Sequence, residues 1–228
     1  MNKSNFFSTW SRLHGDAQVS GIVKGWLNIS YFITKLLSKI RISPNGLTLF
    51  GLAFGVLLYL NAQSIWAPIF LVLSLICDGI DGSMAIITGK FSKWGAILDS
   101  VIDRFTEVFW VLALYSLGID INLLLAVLIL SAIQEYLRAR AGGVGVVEVG
   151  VVTYAERPVR ASFVFVALIA FNLDLNILNQ IIAIWLALQI ISLIKISRFI
   201  FFKLKKSIPN SFSTHTALIT TRGKTPPG

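Results

Sequence analysis

The segment CDGIDGSMAIITGKFSKWGAILDSVIDRF, residues 77–105, decides the fold prediction. It places four aspartates in a chain that is 55% hydrophobic and only 14% charged. Asp78 and Asp81 are three residues apart, Asp99 and Asp103 are four apart, and either spacing puts both side chains on one face of a helix. The short connection GKFSK predicts an antiparallel hairpin of two helices. We therefore expect the four carboxylates to converge at one depth.

The rest of the chain has the composition of a membrane protein. A soluble domain is about one quarter charged, which is well above the fraction in this chain. Apolar runs of about 17–25 residues recur along the sequence, and runs of that length can cross a bilayer as helices. The sequence therefore predicts an all-α, polytopic membrane protein with six transmembrane helices. The predicted spans are Gly46–Leu60, Ile65–Thr88, Trp94–Leu117, Leu123–Leu137, Val159–Phe171 and Ile177–Phe201.

The distribution of lysine and arginine predicts the orientation. The loops after the first, third and fifth predicted spans contain neither residue, whereas the other loops and both terminal segments are basic. By the positive-inside rule, both termini and the aspartates face the cytoplasm, and the chain lies in the cell membrane. The net charge of +9 therefore follows the topology. A nucleic-acid partner is not expected, because no separate basic face is present in the sequence.

Three regions are predicted along the chain. Residues 1–42 form a cytoplasmic N-terminal segment, in which residues 21–42 have the spacing of an amphipathic helix with a basic face. We expect this helix to lie in the lipid headgroup layer, because its spread lysines disfavour a membrane span. Residues 43–206 form the six-helix membrane domain, and residues 207–228 form a disordered tail.

The crowding of the aspartates restricts their chemistry. Four carboxylates in a low dielectric cannot all remain ionised without partners, so either several take up protons or cations neutralise them. A set of four carboxylates without a histidine favours hard cations such as Mg²⁺, Mn²⁺ or Ca²⁺ over Zn²⁺. A pair of such metals is the usual clamp for displacement at phosphorus.

Other interpretations of the same residues remain open at this point. The aspartates could form salt bridges with Arg104 and the loop lysines. A membrane cation transporter also places carboxylates in membrane helices, although more often near the midplane, on broken helices or inverted repeats. The small residues of the hairpin indicate either close helix packing or room for a flat or phosphorylated ligand. These small residues are Gly79, Gly82, Ser83, Ala85, Gly95 and Ala96.

The segment resembles the signature of the CDP-alcohol phosphatidyltransferases, D-x2-D-G-x2-A-R-x8-G-x3-D-x3-D. The residues that fall in register are Asp78, Asp81, Gly82, Ala85, Gly95, Asp99 and Asp103. The sequence SPNGLT at residues 43–48 is similar to the Pro-Asn-x-x-Thr that often opens the first span of this family. Ile86 stands where the family normally has arginine, and this departure concerns the nucleotide affinity more than the reaction type.

The resemblance implies transfer of a phosphatidyl or archaetidyl group from CDP-diacylglycerol or CDP-archaeol to an acceptor hydroxyl, with release of CMP. It also implies two divalent ions, Mg²⁺ or Mn²⁺, and a homodimer. In the family pattern Asp78, Asp81 and Asp99 ligate metal, while Asp103 both ligates metal and acts as the general base. The residues expected to bind the CDP-lipid are Asp78, Asp81, Gly82, Ala85, Gly95, Asn45 and Thr48.

The arginines that follow the fourth predicted span indicate the acceptor. Guanidinium groups bind phosphate bidentately, although arginines also anchor helix ends at the cytoplasmic surface. The pattern RARA with ERPVR resembles the branch that makes phosphatidylinositol phosphate or its archaeal equivalent, which implies inositol 1-phosphate, with glycerol 3-phosphate as the alternative. Glu107 is either a further ligand or a partner for Arg104. The expected phosphate-binding residues are Arg138, Arg140, Arg157, Arg160 and Arg198.

Overall fold

The structure is a computed structural model that describes residues 1–13, 15–146 and 152–207. In these residues the chain forms eight α-helices and no β-strand, which confirms the all-α prediction. Apart from Ser207, the predicted tail lies outside the described residues. The helices are α1 (Lys3–Leu13), α2 (Gly21–Lys39), α3 (Pro44–Leu60), α4 (Ala67–Thr88), α5 (Lys93–Ser116), α6 (Ile121–Gly143), α7 (Arg157–Asn172) and α8 (Leu178–Ser207).

Several helices have the length and hydropathy of membrane spans. Among the described residues three qualify on their own, namely Ala67–Thr88, Ile121–Gly143 and Leu178–Lys206. The pair Val23–Lys39 and Pro44–Leu60 qualifies together, but a bend of 106° separates its two helices. Of the other predicted spans, α7 is only 16 residues long and α5 carries the charged site residues. The chain is thus a helical membrane protein in which one of the two aspartate-bearing helices, α4, qualifies as a span on its own and the other, α5, does not.

One apolar core joins the six helices α3 to α8. Its side chains come from the C-terminal halves of α3 and α5, from the N-terminal halves of α4, α6 and α8, and from most of the length of α7. The aspartates lie in the opposite halves of α4 and α5, so the core fixes the helices without occupying the site. The fully buried large side chains of this core include Leu58, Leu71, Trp110, Leu114, Leu124, Leu168 and Ile182.

The N-terminal segment contains two helices where the sequence predicted one. The amphipathic helix is present as α2, and its placement relative to a bilayer remains a proposal. The additional helix α1 packs through Phe6, which is fully buried against Leu27 of α2 and Ile86 of α4. Phe6, Phe7 and Trp10 lie on one face of α1, and this spacing is the signal that could have revealed it.

Candidate active site

The helices that carry the aspartates are joined by a tightly capped turn. Helix α4 ends at Gly89, whose φ of 65° lies in the left-handed region that favours glycine. The next N–H, from Lys90, donates to the Ala85 carbonyl at 3.0 Å. Helix α5 begins after Ser92, whose hydroxyl accepts from the Gly95 N–H at 2.9 Å as an N-cap. The turn predicted from GKFSK therefore connects the two helices, and its caps set where each helix ends.

Helix α3 packs against both α4 and α5 and supplies a side chain to the site. A Cβ added at Gly51 would lie 3.4 Å from the Ser74 carbonyl oxygen of α4, and one added at Gly55 would lie 3.2 Å from Thr106 of α5. These two glycines of α3 therefore allow close helix approach. One turn before Gly51, the Thr48 hydroxyl donates to Oδ2 of Asp81 at 2.6 Å.

Three of the four aspartates form a compact group. Asp78, Asp99 and Asp103 each place one carboxylate oxygen within 4.8 Å of the others. Asp81 is not part of this group; the residue is 7% exposed, and its carboxylate is oriented by the hydrogen bond from Thr48. Oδ1 of Asp99 is buried and has no hydrogen-bond partner among the described residues. The predicted convergence of the carboxylates is thus present, with Asp81 at its edge.

Arg157, the first residue of α7, is inserted between two of the aspartates. One of its terminal nitrogens pairs with Asp78, and the other, Nη2, lies 2.8 Å from Oδ1 of Asp103. Its guanidinium also lies 5.6 Å from the ring centroid of Trp110, a cation–π distance. The side chain is 14% exposed, so the pairing is largely shielded from solvent.

The donor set fits a hard divalent cation. A buried carboxylate oxygen without a partner is costly, and Oδ1 of Asp99 is such an atom. Arg157 supplies one positive charge to a site with four carboxylates, so a single guanidinium cannot balance them. Oxygen ligands at this spacing suit Mg²⁺ or Mn²⁺. The aspartate group therefore retains capacity for cations beyond Arg157.

A cleft of about 130 Å³ opens beside Asp81 and Asp99. A Cβ added at Gly82 would meet no other described atom within 4 Å, its own helix backbone excepted, so the cleft reaches the helix surface there. A Cβ at Gly95 would lie 3.2 Å from Oδ1 of Asn45, which shows how closely α3 and α5 approach. Six of the predicted CDP-lipid residues line this cleft, namely Asn45, Thr48, Asp81, Gly82, Ala85 and Gly95.

Arg160 is buried in an ion-pair network rather than exposed towards the cleft. Its side chain is 0% exposed, and its Nη2 lies 2.8 Å from Glu107 and 3.1 Å from Glu135. Nη1 of Arg160 also donates to the Ala155 carbonyl at 2.8 Å. Glu107 in turn accepts from Arg104 at 2.8 Å. Glu107 was interpreted as either a further metal ligand or a partner for Arg104, and the structure shows the contact with Arg104. Glu135 also belongs to this ion-pair network, and the sequence analysis did not identify it.

Arg138 is held by a second carboxylate. Its two terminal nitrogens donate to the two oxygens of Glu156 at 2.7 and 2.5 Å, a bidentate pair. Glu156 also accepts from the Thr153 N–H and hydroxyl, both at 2.7 Å. Burial alone would raise the pKa of Glu156, but the hydrogen bonds from Arg138 and Thr153 lower this pKa to about 2. Glu156 therefore stays ionised at neutral pH and competes with any acceptor phosphate for Arg138.

The five predicted phosphate-binding arginines thus fall into different environments. Arg138, Arg157 and Arg160 are each paired with at least one carboxylate. Arg140 and Arg198 have exposed side chains, so their guanidinium groups are accessible. The pairing could not be deduced from the sequence, although Glu135 lies one turn before Arg138 and is a charged residue in an apolar helix.

Comparisons with known proteins agree with these features. Residues 41–194 match the family model described as CDP-alcohol phosphatidyltransferase. The chain is 36% identical over 144 residues to an archaetidylinositol phosphate synthase of Pyrococcus horikoshii, covering 59% of this chain and 73% of that protein. It is 31% identical over 145 residues to a phosphatidylinositol phosphate synthase of Cutibacterium acnes, covering 58% of this chain and 70% of that protein.

The fold is also similar to a solved structure. The crystal structure of Mycobacterium tuberculosis phosphatidylinositol phosphate synthase with CDP-DAG bound has a TM-score of 0.63 and 20% identity, covering 76% of this chain and 94% of that one. A second structure of that protein, in complex with manganese and citrate, also gives a TM-score of 0.63. With two thirds of its residues in the family match and the aspartate group in place, the chain belongs to the CDP-alcohol phosphatidyltransferase family.

Proposed function

We propose that this protein transfers the phosphatidyl or archaetidyl group of a CDP-linked lipid to a hydroxyl of inositol 1-phosphate and releases CMP. The acceptor oxygen forms a bond to the lipid-side phosphorus, the bond from that phosphorus to the CMP oxygen breaks, and the hydroxyl proton leaves to a base. The observation that carries the proposal is the aspartate group beside the glycine-lined cleft in a chain of this family. The inositol phosphate acceptor is supported by the names of its relatives.

Within this proposal each aspartate has a role. Asp78, Asp81, Asp99 and Asp103 hold two divalent ions, Mg²⁺ or Mn²⁺, and a solved structure of similar fold is a manganese complex. Bound metals of this kind neutralise charge on the pyrophosphate and on departing CMP. Asp103 accepts the proton of the acceptor hydroxyl, which requires a carboxylate oxygen within hydrogen-bond reach. Its present bond to Arg157 holds that carboxylate in one orientation.

The cleft at Gly82 is the proposed site of the cytidine end of the CDP-lipid. Gly82, Ala85 and Gly95 leave room for a flat base, and Asn45 and Thr48 contribute polar atoms, while Asp78 borders the pyrophosphate. Lys90 also lines the cleft. It provides a cation in this cleft, whereas Ile86, at the position where the family pattern has arginine, packs against Phe6 and Leu27.

The acceptor phosphate is assigned to the arginines that are free to reach it. Arg140 and Arg198 are exposed, and Arg138 can share its guanidinium between Glu156 and a phosphate. Arg157 is the cation nearest to the reacting groups, because it already lies against Asp78 and Asp103. Arg160 is fully buried, and we propose a structural role for it instead.

Removing Arg140 tests this assignment without removing a structural ion pair. Loss of one charge-assisted hydrogen bond costs about 1.5–3 kcal/mol, so Arg140→Ala is expected to raise the acceptor KM roughly tenfold to a hundredfold. The KM for the CDP-lipid should change much less, because the lipid binds elsewhere. The matched control is Lys205→Ala, which removes an exposed cation at the end of α8. An acceptor KM that is the same in Arg140→Ala as in Lys205→Ala would contradict a role of Arg140 in binding the acceptor phosphate.

Several finer features belong to the same proposal. Helices α3 to α8 are taken as six membrane spans that make up the domain at residues 43–206, and α2 lies in the headgroup layer within the N-terminal segment 1–42. Both termini and the site face the cytoplasm, where soluble phosphorylated alcohols are available. The protein functions as a homodimer. Support comes from the alternate basic loops and from the family pattern.

The acceptor is tested by direct competition. With CDP-diacylglycerol or CDP-archaeol as donor, purified protein is offered equal concentrations of inositol 1-phosphate and glycerol 3-phosphate, and the lipid products are separated and quantified. We expect the inositol phosphate product to dominate. If the glycerophosphate product dominated instead, the acceptor would be glycerol 3-phosphate rather than inositol 1-phosphate, and the reaction class would be unchanged. Equal use of free inositol would contradict the phosphate-binding role of the arginines.

A further inference from the structure

The segment 153–156 connects two of the arginines of the site. It directly precedes Arg157, the first residue of α7, and it contains Glu156, whose carboxylate accepts from both terminal nitrogens of Arg138. Side chains that fix this segment therefore also fix the surroundings of both arginines. Such side chains come from α6 and α8, in a part of the bundle to which the proposed reaction assigns no role.

Both backbone polar groups of one residue in this segment are held by side chains. Ala155 is 0% exposed, its N–H donates to the hydroxyl of Ser192 in α8 at 2.9 Å, and its carbonyl accepts from Nη1 of Arg160 at 2.8 Å. Three residues after Ser192, the ammonium of Lys195 donates to the Val152 carbonyl at 3.0 Å. Helix α8 thus anchors a stretch of chain that belongs to neither α6 nor α7.

A series of hydrogen-bonded side chains, which we call the polar chain, leads from α8 to the partner of Arg138. Nε2 of Gln189 donates to Oε1 of Gln134 at 2.9 Å, and Nε2 of Gln134 donates to the Thr153 hydroxyl oxygen at 3.3 Å. The Thr153 hydroxyl in turn donates to Oε1 of Glu156 at 2.7 Å. The polar chain therefore consists of Gln189, Gln134, Thr153 and Glu156, and it ends on the carboxylate that holds Arg138.

The burial of the two glutamines shows that helix packing alone does not account for them. Gln134 and Gln189 are each 0% exposed, and the helices that carry them, α6 and α8, pack against each other. A buried amide is costly unless its hydrogen bonds are made, whereas a pair of apolar side chains of the same shape would pack at no such cost. Buried polar groups that are fully hydrogen-bonded instead specify one arrangement of their neighbours. The polar chain thus indicates that the position of segment 153–156 is what these residues determine.

We propose that Gln134, Gln189 and Ser192 are positioning residues for the acceptor site. They fix segment 153–156, and through Glu156 they hold the guanidinium of Arg138 where it meets the acceptor phosphate. The inference rests on the proposed function, which assigns Arg138 to that phosphate. Because the same proposal places the donor and the metals on α3, α4 and α5, these three residues should affect the acceptor and not the donor.

The experiment measures steady-state kinetics of full-length Gln189→Leu and Ser192→Ala with inositol 1-phosphate as acceptor. Gln189→Leu removes the first bond of the polar chain, and Ser192→Ala removes the hydroxyl that accepts from the Ala155 N–H. The net contribution of one such hydrogen bond corresponds to about two- to tenfold, so we expect the acceptor KM to rise by that factor in each variant. The KM for the CDP-lipid should stay unchanged.

Gln63→Leu is the matched control for the loss of a glutamine hydrogen bond. Nε2 of Gln63 also makes a long-range bond, to the Ser116 carbonyl at 2.8 Å, but it lies before α4, at the end of the bundle away from the aspartates. This variant should change neither KM.

A second comparison separates positioning from a general loss of stability. In the Arg138→Ala background, Gln189→Leu should raise the acceptor KM no further, because the guanidinium that it positions is gone. Equal factors in both backgrounds, or parallel rises of the acceptor and donor KM, would overturn the proposal, and so would an unchanged acceptor KM in Gln189→Leu and Ser192→Ala. If the unmodified protein used glycerol 3-phosphate instead, the proposed acceptor would be wrong, and the same comparison with glycerol 3-phosphate would still decide the role of these residues.

Discussion

Asp103→Asn is expected to lower kcat by about 10²–10⁴-fold, the usual contribution of a positioned general base. The substitution keeps the shape of the side chain but removes the negative charge that Arg157 contacts at 2.8 Å. It also removes one of the three carboxylates that lie within 4.8 Å of one another, so the loss of a metal ligand adds to the loss of the base. The measurement is the initial rate of CMP release at saturating donor, acceptor and metal.

Asp174→Asn is the matched control for this variant. Asp174 is exposed at the end of α7 and has a φ of 53°, a conformation that asparagine also adopts readily. The control should retain full activity. A kcat of Asp103→Asn within a few-fold of the unmodified protein would contradict the assignment of Asp103 as the base.

Arg160→Met is expected to destabilise the protein by about 3–5 kcal/mol, because it removes the fully buried cation that Glu107 and Glu135 share and leaves the buried Glu107 with Arg104 alone. Arg160 is 0% exposed and contacts both Glu107 and Glu135, and Glu107 is itself only 5% exposed. Methionine fills part of the volume but has no charge or donor. The measurement is the midpoint of thermal unfolding in detergent, compared with the unmodified protein.

The double variant Arg160→Met with Glu107→Gln separates the two roles considered for Arg160. Neutralising Glu107 removes a buried charge that has lost one of its two cations, so the double variant should be more stable than Arg160→Met alone. If Arg160→Met were instead as stable as the unmodified protein and raised only the acceptor KM, the phosphate-binding role predicted from the sequence would be right and the structural role wrong.

The part of the site that lies within short stretches of sequence was predictable. The helix period places Asp78 with Asp81 and Asp99 with Asp103, and Gly89 and Ser92 cap the turn between the helices. The family signature uses the same local spacings. The convergence of the aspartates and the all-helical fold therefore followed from local patterns alone.

The long-range ion pairs were not predictable in the same way. Arg160 pairs with Glu107, 53 residues away, and Arg138 with Glu156, 18 residues away. A guanidinium that is free for phosphate and one that is buried against a carboxylate look alike in sequence, since only tertiary packing distinguishes them. The sequence analysis also missed α1, although the spacing of Phe6, Phe7 and Trp10 was a local signal for a helix.

The most direct test of the account is the metal dependence of CMP release by the purified protein. Reactions contain a CDP-lipid and inositol 1-phosphate, first in excess chelator and then after addition of millimolar Mg²⁺ or Mn²⁺. The aspartate group predicts no turnover in chelator and full recovery with either or both metals, because four carboxylates and one arginine cannot stabilise the pyrophosphate without cations. Full activity in excess chelator would contradict the central claim.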